Sequence, residues 1–131
     1  MAKIFFVEDD ASILRLYAQA FTLSGHDVVL ASNGEEALEK LKTMAPKPDI
    51  ILLDMMMPKL NGFEVLKVIK KDEALKDITV AVLTNMESLA GGESDIARIK
   101  ELGADDVIVK SQYDMKDIVA HIEGMLAKKS G

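Results

Sequence analysis

The chain has 131 residues, enough for one buried core and too few for two. Its 22 acidic residues against 16 basic leave a formal charge of −6, which argues against a broad electrostatic grip on nucleic acid or anionic lipid. The absence of cysteine removes disulfides, thiolate zinc sites and thiol catalysis, and no apolar run approaches the ~20 residues of a membrane span.

Lys3–Val7 is the first of five short apolar runs and reads as a strand. Acid follows at once in Glu8, so there is no signal-peptide core and a cytoplasmic location is expected. Ile13, Leu14, Tyr17, Ala18 and Phe21 fall on one helical face, and Gly25 stands where that helix should stop. Asp27–Ala31 is the second strand. Ser32-Asn33-Gly34-Glu35 then offers a capping box to a second helix bearing Ala37, Leu38 and Leu41. Pro46 and Pro48 separate it from the third strand, Asp49–Leu53, whose unbroken Ile50-Ile51-Leu52-Leu53 run suits a strand covered on both faces.

Phe63, Leu66 and Ile69 mark the third helix, and Ile78–Leu83 the fourth strand. Gly91-Gly92 is a poor helix interior and reads as part of an enlarged loop, with the fourth helix starting near Ser94. That helix carries Ile96, Ile99 and Leu102 and should stop at Gly103. Asp106–Val109 is the fifth strand, and Met115, Ile118, Val119, Ile122, Met125 and Leu126 stripe the last helix. The domain is read as residues 1–127, with 128–131 a flexible tail.

Strict β-α alternation implies a parallel sheet with helices on both faces, and right-handed crossovers leave few topologies. For five strands the expectation is a doubly wound, flavodoxin-like α/β fold of order 2-1-3-4-5 with five helices. Its ligand site lies beyond the carboxyl ends of the strands, at the switch point between strands 1 and 3. Glu8-Asp9-Asp10, Asp54, Thr84 and Lys110 all fall at such ends. Like charges so close raise one another's pKa unless a cation joins them. Oxygen donors without His or Cys favour Mg²⁺, Mn²⁺ or Ca²⁺, and a site with room for water or phosphate oxygens fits Mg²⁺ best.

The ordered set is Val7-Glu8-Asp9-Asp10, then Asp54-Met55-Met56-Met57-Pro58-Lys59-Leu60-Asn61-Gly62, Thr84 and Lys110. In these residues, and over essentially its whole length, the chain resembles the receiver domain of two-component response regulators, of the single-domain, chemotaxis-messenger kind. The resemblance implies that Asp54 is the phosphoacceptor, attacking a phosphohistidine of a histidine kinase. It implies Mg²⁺ bound directly by Asp9 and Asp54, with Glu8 acting largely through water and the Met56 backbone carbonyl as a further ligand. Asp10 stays outside the metal shell. Thr84 and Lys110 are implied to contact phosphoryl oxygens.

The partners so implied are a histidine kinase or histidine phosphotransfer protein and a downstream protein target, with no direct nucleic-acid contact and no membrane insertion. The activity implied is self-phosphorylation with slow autodephosphorylation, not turnover of an outside substrate. A phosphorelay intermediate, passing its phosphate to a histidine phosphotransfer protein, is the alternative. A flavodoxin-like electron carrier fits less well, because Glu8-Asp9-Asp10 would repel a flavin phosphate. An Asp-nucleophile phosphatase also fits less well, because its nucleophile would follow strand 1.

Three positions depart from the family pattern: Ser111 stands where proline usually follows the lysine, Val107 where an aromatic switch residue is usual, and Asn85 where a small residue is common. Met55-Met56-Met57 is expected to pack rather than bind metal. His26 and His121 are given surface or helix-end roles, and Lys67, Lys70, Lys71 and Lys76 a solvated helix face. Met56 and Met86 stand two beyond the phosphoacceptor and two beyond Thr84, positions that border the hydrolytic water in the family. Thioethers cannot orient that water. The phosphorylated protein should therefore decay more slowly than its Met56→Asn and Met86→Glu variants in a dephosphorylation time course, and equal decay would refute the shielding.

Overall fold

Parallel strands covered on both faces must be apolar throughout, and the third strand shows it: Ile50, Ile51, Leu52 and Leu53 are each fully buried. The computed structural model describes residues 2–54, 62–84 and 93–130. Within them lie β1 (Lys3–Val7), α1 (Ala11–Leu23), β2 (Asp27–Ala31), α2 (Gly34–Thr43), β3 (Ile50–Asp54) and α3 (Gly62–Lys71). There follow β4 (Thr79–Thr84), α4 (Glu93–Glu101), β5 (Asp106–Val109), a 3-10 turn (Lys110–Gln112) and α5 (Met115–Ser130). All strand pairs are parallel and the order is β2-β1-β3-β4-β5, the doubly wound sheet read from the alternation.

Alternation along each strand divides the core in two. Phe5, Val7, Ile51, Leu53, Val80 and Val82 face α2, α3 and α4 through Ala37, Leu41, Val65, Leu66, Ile69 and Ile99. Ile4, Phe6, Ile50, Leu52, Ala81 and Leu83 face α1 and α5, where Tyr17, Phe21, Ile118 and Ile122 meet them. Phe6 and Tyr17 pack edge to face with centroids 5.1 Å apart, so β1 and α1 are locked together just below the strand's carboxyl end.

Gly25 and Gly103 end their helices with φ of 93° and 112°. After α1, the Gly25 N–H reaches the Thr22 carbonyl and the His26 N–H the Phe21 carbonyl, at 3.0 and 3.1 Å. That pairing satisfies two carbonyls left open at the helix end, and it needs a left-handed residue that glycine adopts without strain.

Several details differ from the sequence reading. The cap of α2 closes on Glu36 rather than Glu35: Asn33 Oδ1 accepts the Glu36 N–H at 2.8 Å, and the Glu36 carboxylate accepts the Ser32 N–H and hydroxyl, each at 2.8 Å. With Asn33 as N-cap, Glu36 holds the third helical position, the one whose side chain can reach back. β3 and β4 each end one residue later than expected, which makes Asp54 and Thr84 the last residues of their strands. α5 continues through Ser130, past the expected start of a tail, since Ala127, Lys128 and Lys129 are good helix formers with no breaker among them. α4 begins at Glu93, while Gly91-Gly92 lies outside the described residues.

Lys67, Lys71 and Lys76 are exposed, but Lys70 is not part of a solvated stripe. Its ammonium donates to the Lys76 and Ile78 carbonyls at 3.1 and 3.3 Å and lies 3.9 Å from Asp105. Its stem crosses Gly103, where an added Cβ would come within 2.9 Å of the Lys70 Cγ. A long aliphatic stem can lie along backbone while its charge finds carbonyls, which a periodicity argument does not register.

The Ser32 hydrogen bonds and Lys40, 3.0 Å away, hold the Glu36 carboxyl down at about 2. A folded pKa below the unfolded value means stabilisation that is present above about pH 4.5 and lost as pH falls toward 2. Glu36→Ala should cost about 1 kcal/mol at pH 7, less than the shift alone suggests because solvent screens a carboxylate one-third exposed. In urea denaturation the gap between variant and wild type should shrink steadily from pH 5 to pH 2; a constant gap would contradict the cap.

Candidate functional site

β1 and β3 are neighbours in register, with Val7 opposite Leu53, so the residues that follow emerge side by side. Glu8 leaves β1 with its N–H on the Ala31 carbonyl at 3.1 Å, and Asp54 ends β3. Glu8 is 2% exposed and Asp54 7%, whereas Asp9 stands open to solvent. Carboxylate oxygens of Glu8, Asp9 and Asp54 all lie within 4.8 Å of one another. Asp10 turns the other way: its Oδ1 accepts the Ser12 and Ile13 N–H groups at 2.9 and 3.1 Å and caps α1. One short acidic run thus serves two purposes, two carboxylates at the strand ends and one at a helix start.

β4 adds Thr84, 1% exposed, at the end of the strand beside β3; Asp54 stands opposite Leu83 in the ladder. Lys110 is the first residue past β5. The 3-10 turn closes with the Tyr113 N–H on the Lys110 carbonyl at 3.3 Å, so a turn with Ser111 in place of proline holds the lysine's backbone. The Lys110 ammonium donates to Glu8 Oε2 at 3.3 Å, with only 14% and 3% of the two side chains exposed. Four separate segments therefore bring Glu8, Asp9, Asp54, Thr84 and Lys110 to one end of the sheet. Met56 and Met86 lie outside the described residues, as do Met55, Met57 and Asn85. Val107 is half-buried opposite Val82, on the side of the sheet covered by α2, α3 and α4.

The charges are not balanced by the protein alone. Burial, then a hydrogen bond and the charge of Asp54, push the Glu8 carboxyl up to about 8, and Lys110 only partly offsets them. Fully ionised, three carboxylates and one ammonium leave two negative charges. Their donors are all oxygen, the chemistry of a hard divalent cation, and such a cation neutralises the excess.

Tyr17 was read only as part of an apolar stripe. In the structure its phenol is buried, and burial together with the charge of Glu8 pushes its pKa up. A stripe position seven residues into a helix carries no sequence signal for that proximity. Neither histidine joins the site. His26 is more buried than a surface role implies: its Nδ1 accepts the Ala2 N–H at 3.2 Å and its Nε2 meets Glu123 at 2.9 Å. His121 pairs with Asp106 at 2.5 Å and stacks edge to face on Tyr113.

The sequence matches the response regulator receiver domain family across residues 4–123. The transcriptional regulatory protein CpxR homolog of Haemophilus influenzae is 40% identical over 132 residues, a match covering 99% of this chain and 52% of that protein. The structure of the Francisella response regulator 1452 receiver domain superposes with a TM-score of 0.84 at 25% identity, covering all of both chains. The phosphorylated cyanobacterial phytochrome response regulator RcpA gives 0.79 at 36% identity, covering 95% of this chain and 90% of that one. The chain belongs to the response regulator receiver domain family of two-component systems. It spans about half the length of the curated relatives it matches. No helix among the described residues is long and apolar enough to cross a membrane.

If the three carboxylates hold the cation, Asp9→Ala and Asp54→Ala should each weaken Mg²⁺ binding by about tenfold or more, while His121→Ala leaves it unchanged. Isothermal titration calorimetry distinguishes these outcomes, and equal affinity in all three variants would contradict the assignment.

Proposed function

We propose that this chain accepts a phosphoryl group on Asp54 from the phosphohistidine of a partner kinase or phosphotransfer protein, with Mg²⁺ bound, and signals through protein contacts made by residues 1–127. The observation that carries this reading is the cluster itself: Glu8, Asp9 and Asp54 within 4.8 Å at the switch point, with Lys110 already reaching into it. RcpA, a neighbour in fold, has a phosphorylated structure, which supports the same chemistry here.

Phosphoryl transfer asks a protein for in-line positioning and charge neutralisation more than for covalent assistance. An Asp54 carboxylate oxygen attacks phosphorus; the bond from phosphorus to the imidazole nitrogen breaks, its electron pair returns to the ring, and an aspartyl phosphate remains. Burial of Asp54 limits competing water and makes its interactions with neighbouring charge stronger than in bulk solvent. Asp9 and Asp54, with Glu8 behind them, would hold Mg²⁺, which would supply positive charge to the phosphoryl oxygens. The Thr84 hydroxyl donates to one of those oxygens and the Lys110 ammonium to another. Lys110 then exchanges a buried carboxylate partner, Glu8, for the phosphoryl group, so the modification is felt at the start of the segment leading into α5.

Incubation with acetyl phosphate and Mg²⁺ should add the mass of one phosphoryl group to the intact protein. Omitting the metal should suppress the adduct, and Asp54→Ala should abolish it. An adduct that persists in Asp54→Ala overturns the assignment.

A further inference from the structure

We propose that Tyr17 is a positioning residue of the acidic site: its hydroxyl becomes the hydrogen-bond donor to Glu8 once Lys110 leaves that carboxylate for the phosphoryl group. The inference rests on the phosphoacceptor reading for what draws Lys110 away, and on strand alternation for where the phenol stands. Ile4 and Phe6 of β1 face α1 and α5, as does Ile108 of β5. Continued one residue past each strand, the same alternation puts Glu8 above Phe6 and Lys110 above Ile108. Their ion pair therefore lies on the α1 side of the sheet. Tyr17 packs edge to face on Phe6 in that same layer, with ring centroids 5.1 Å apart. The charge of Glu8 reaches the phenol, since burial and then that charge push its pKa up.

The hydroxyl is uncommitted. Among the described residues it makes no hydrogen bond. Tyr17 is 7% exposed, and no fully buried polar side-chain atom lacks a partner, so the surface left to the residue includes its hydroxyl oxygen. A phenol held in this way keeps its ring in the core and its oxygen at the rim, where water accepts from it. It can turn its O–H to a nearby anion without repacking the ring. Apolar packing against Phe6 asks only for an aromatic ring, which phenylalanine would supply equally well. Packing thus explains the ring and leaves the oxygen unexplained.

Glu8 needs such a donor at one moment. It is 2% exposed, and its Oε2 accepts from the Lys110 ammonium at 3.3 Å. When Lys110 donates to a phosphoryl oxygen instead, that oxygen of Glu8 keeps a buried charge and loses its partner. A buried charge stripped of one partner is costlier than the pair itself was worth. Asp9 and Asp54 accept hydrogen bonds when ionised and cannot donate, and Thr84 is given to the phosphoryl group in the same reading. The Tyr17 hydroxyl then donates to Glu8 from α1, with its proton staying on the phenol oxygen. Release of Lys110 is thereby made easier, and the phosphorylated state is favoured.

Two measurements test it. The chain has two tyrosines and no tryptophan, so Tyr113→Phe leaves Tyr17 as the sole phenol to absorb. A phenol that donates to a carboxylate absorbs at longer wavelength than one that donates to water. In the Tyr113→Phe protein with Mg²⁺ present, Lys110→Met should move the Tyr17 band to longer wavelength, and adding Glu8→Leu should cancel the move. Separately, Tyr17→Phe keeps the ring and its contact with Phe6, so thermal unfolding should stay near wild type. It should weaken binding of beryllofluoride, a phosphoryl mimic, by about tenfold, against about twofold or less for Mg²⁺ alone. A Tyr17 band indifferent to Lys110→Met overturns the proposal. So does a Tyr17→Phe protein that binds the mimic as wild type does, or that loses ion and mimic equally. An acetyl phosphate adduct that persists in Asp54→Ala is instead a failure of the phosphoacceptor reading; the absorbance measurement needs no phosphoryl group and still decides the contact.

Discussion

Three carboxylates held within 4.8 Å of one another cost free energy until positive charge joins them, and the rest of this molecule keeps them there. The ladder between β1 and β3 sets the spacing, because Val7 opposite Leu53 leaves Glu8 and Asp54 no freedom to part. Apolar packing on both faces of β3 makes that ladder rigid, with four consecutive side chains fully buried. The free energy of core burial thus maintains an unfavourable electrostatic arrangement at the sheet's edge, as functional sites commonly require. Burial first, and Asp54 second, push the Glu8 carboxyl up in this setting.

Around the cluster, each neighbouring element reports on it through a different contact. Lys110 links it to the 3-10 turn ahead of α5 through Glu8. Thr84 links it to the end of β4, after which the chain leads to α4. Arg98 of α4 in turn lies 5.0 Å above the Phe63 ring at the start of α3. The helices that follow β3 and β4 are therefore tied to each other as well as to the strands that precede them. Val107 is half-buried and packs into that same side.

The opposite side of the sheet is organised differently. His26 joins the start of the chain to α5 by accepting from Ala2 and meeting Glu123, which pins the amino end of β1 beneath the last helix. On this side α1 leaves Leu16 and Leu23 exposed. The helices divide between the two faces: α2, α3 and α4 cover one side of the sheet, α1 and α5 the other.

Periodicity and punctuation determined the elements, since strands covered on both faces must be uniformly apolar and helix ends need glycine or a side-chain cap. From these, the doubly wound order and the gathering of Glu8, Asp9, Asp54, Thr84 and Lys110 at one edge followed, because the ends of parallel strands share one side of the sheet. Tertiary structure decided what depends on side-chain reach. It turned Asp10 away to cap α1, closed the α2 cap on Glu36 instead of Glu35, and laid the Lys70 stem across Gly103. It also gave Lys110 to Glu8 and placed the phenol of Tyr17 within reach of that carboxylate's charge. The two caps are local contacts chosen among competing neighbours, while the others join groups far apart in the chain whose relative position is set by packing.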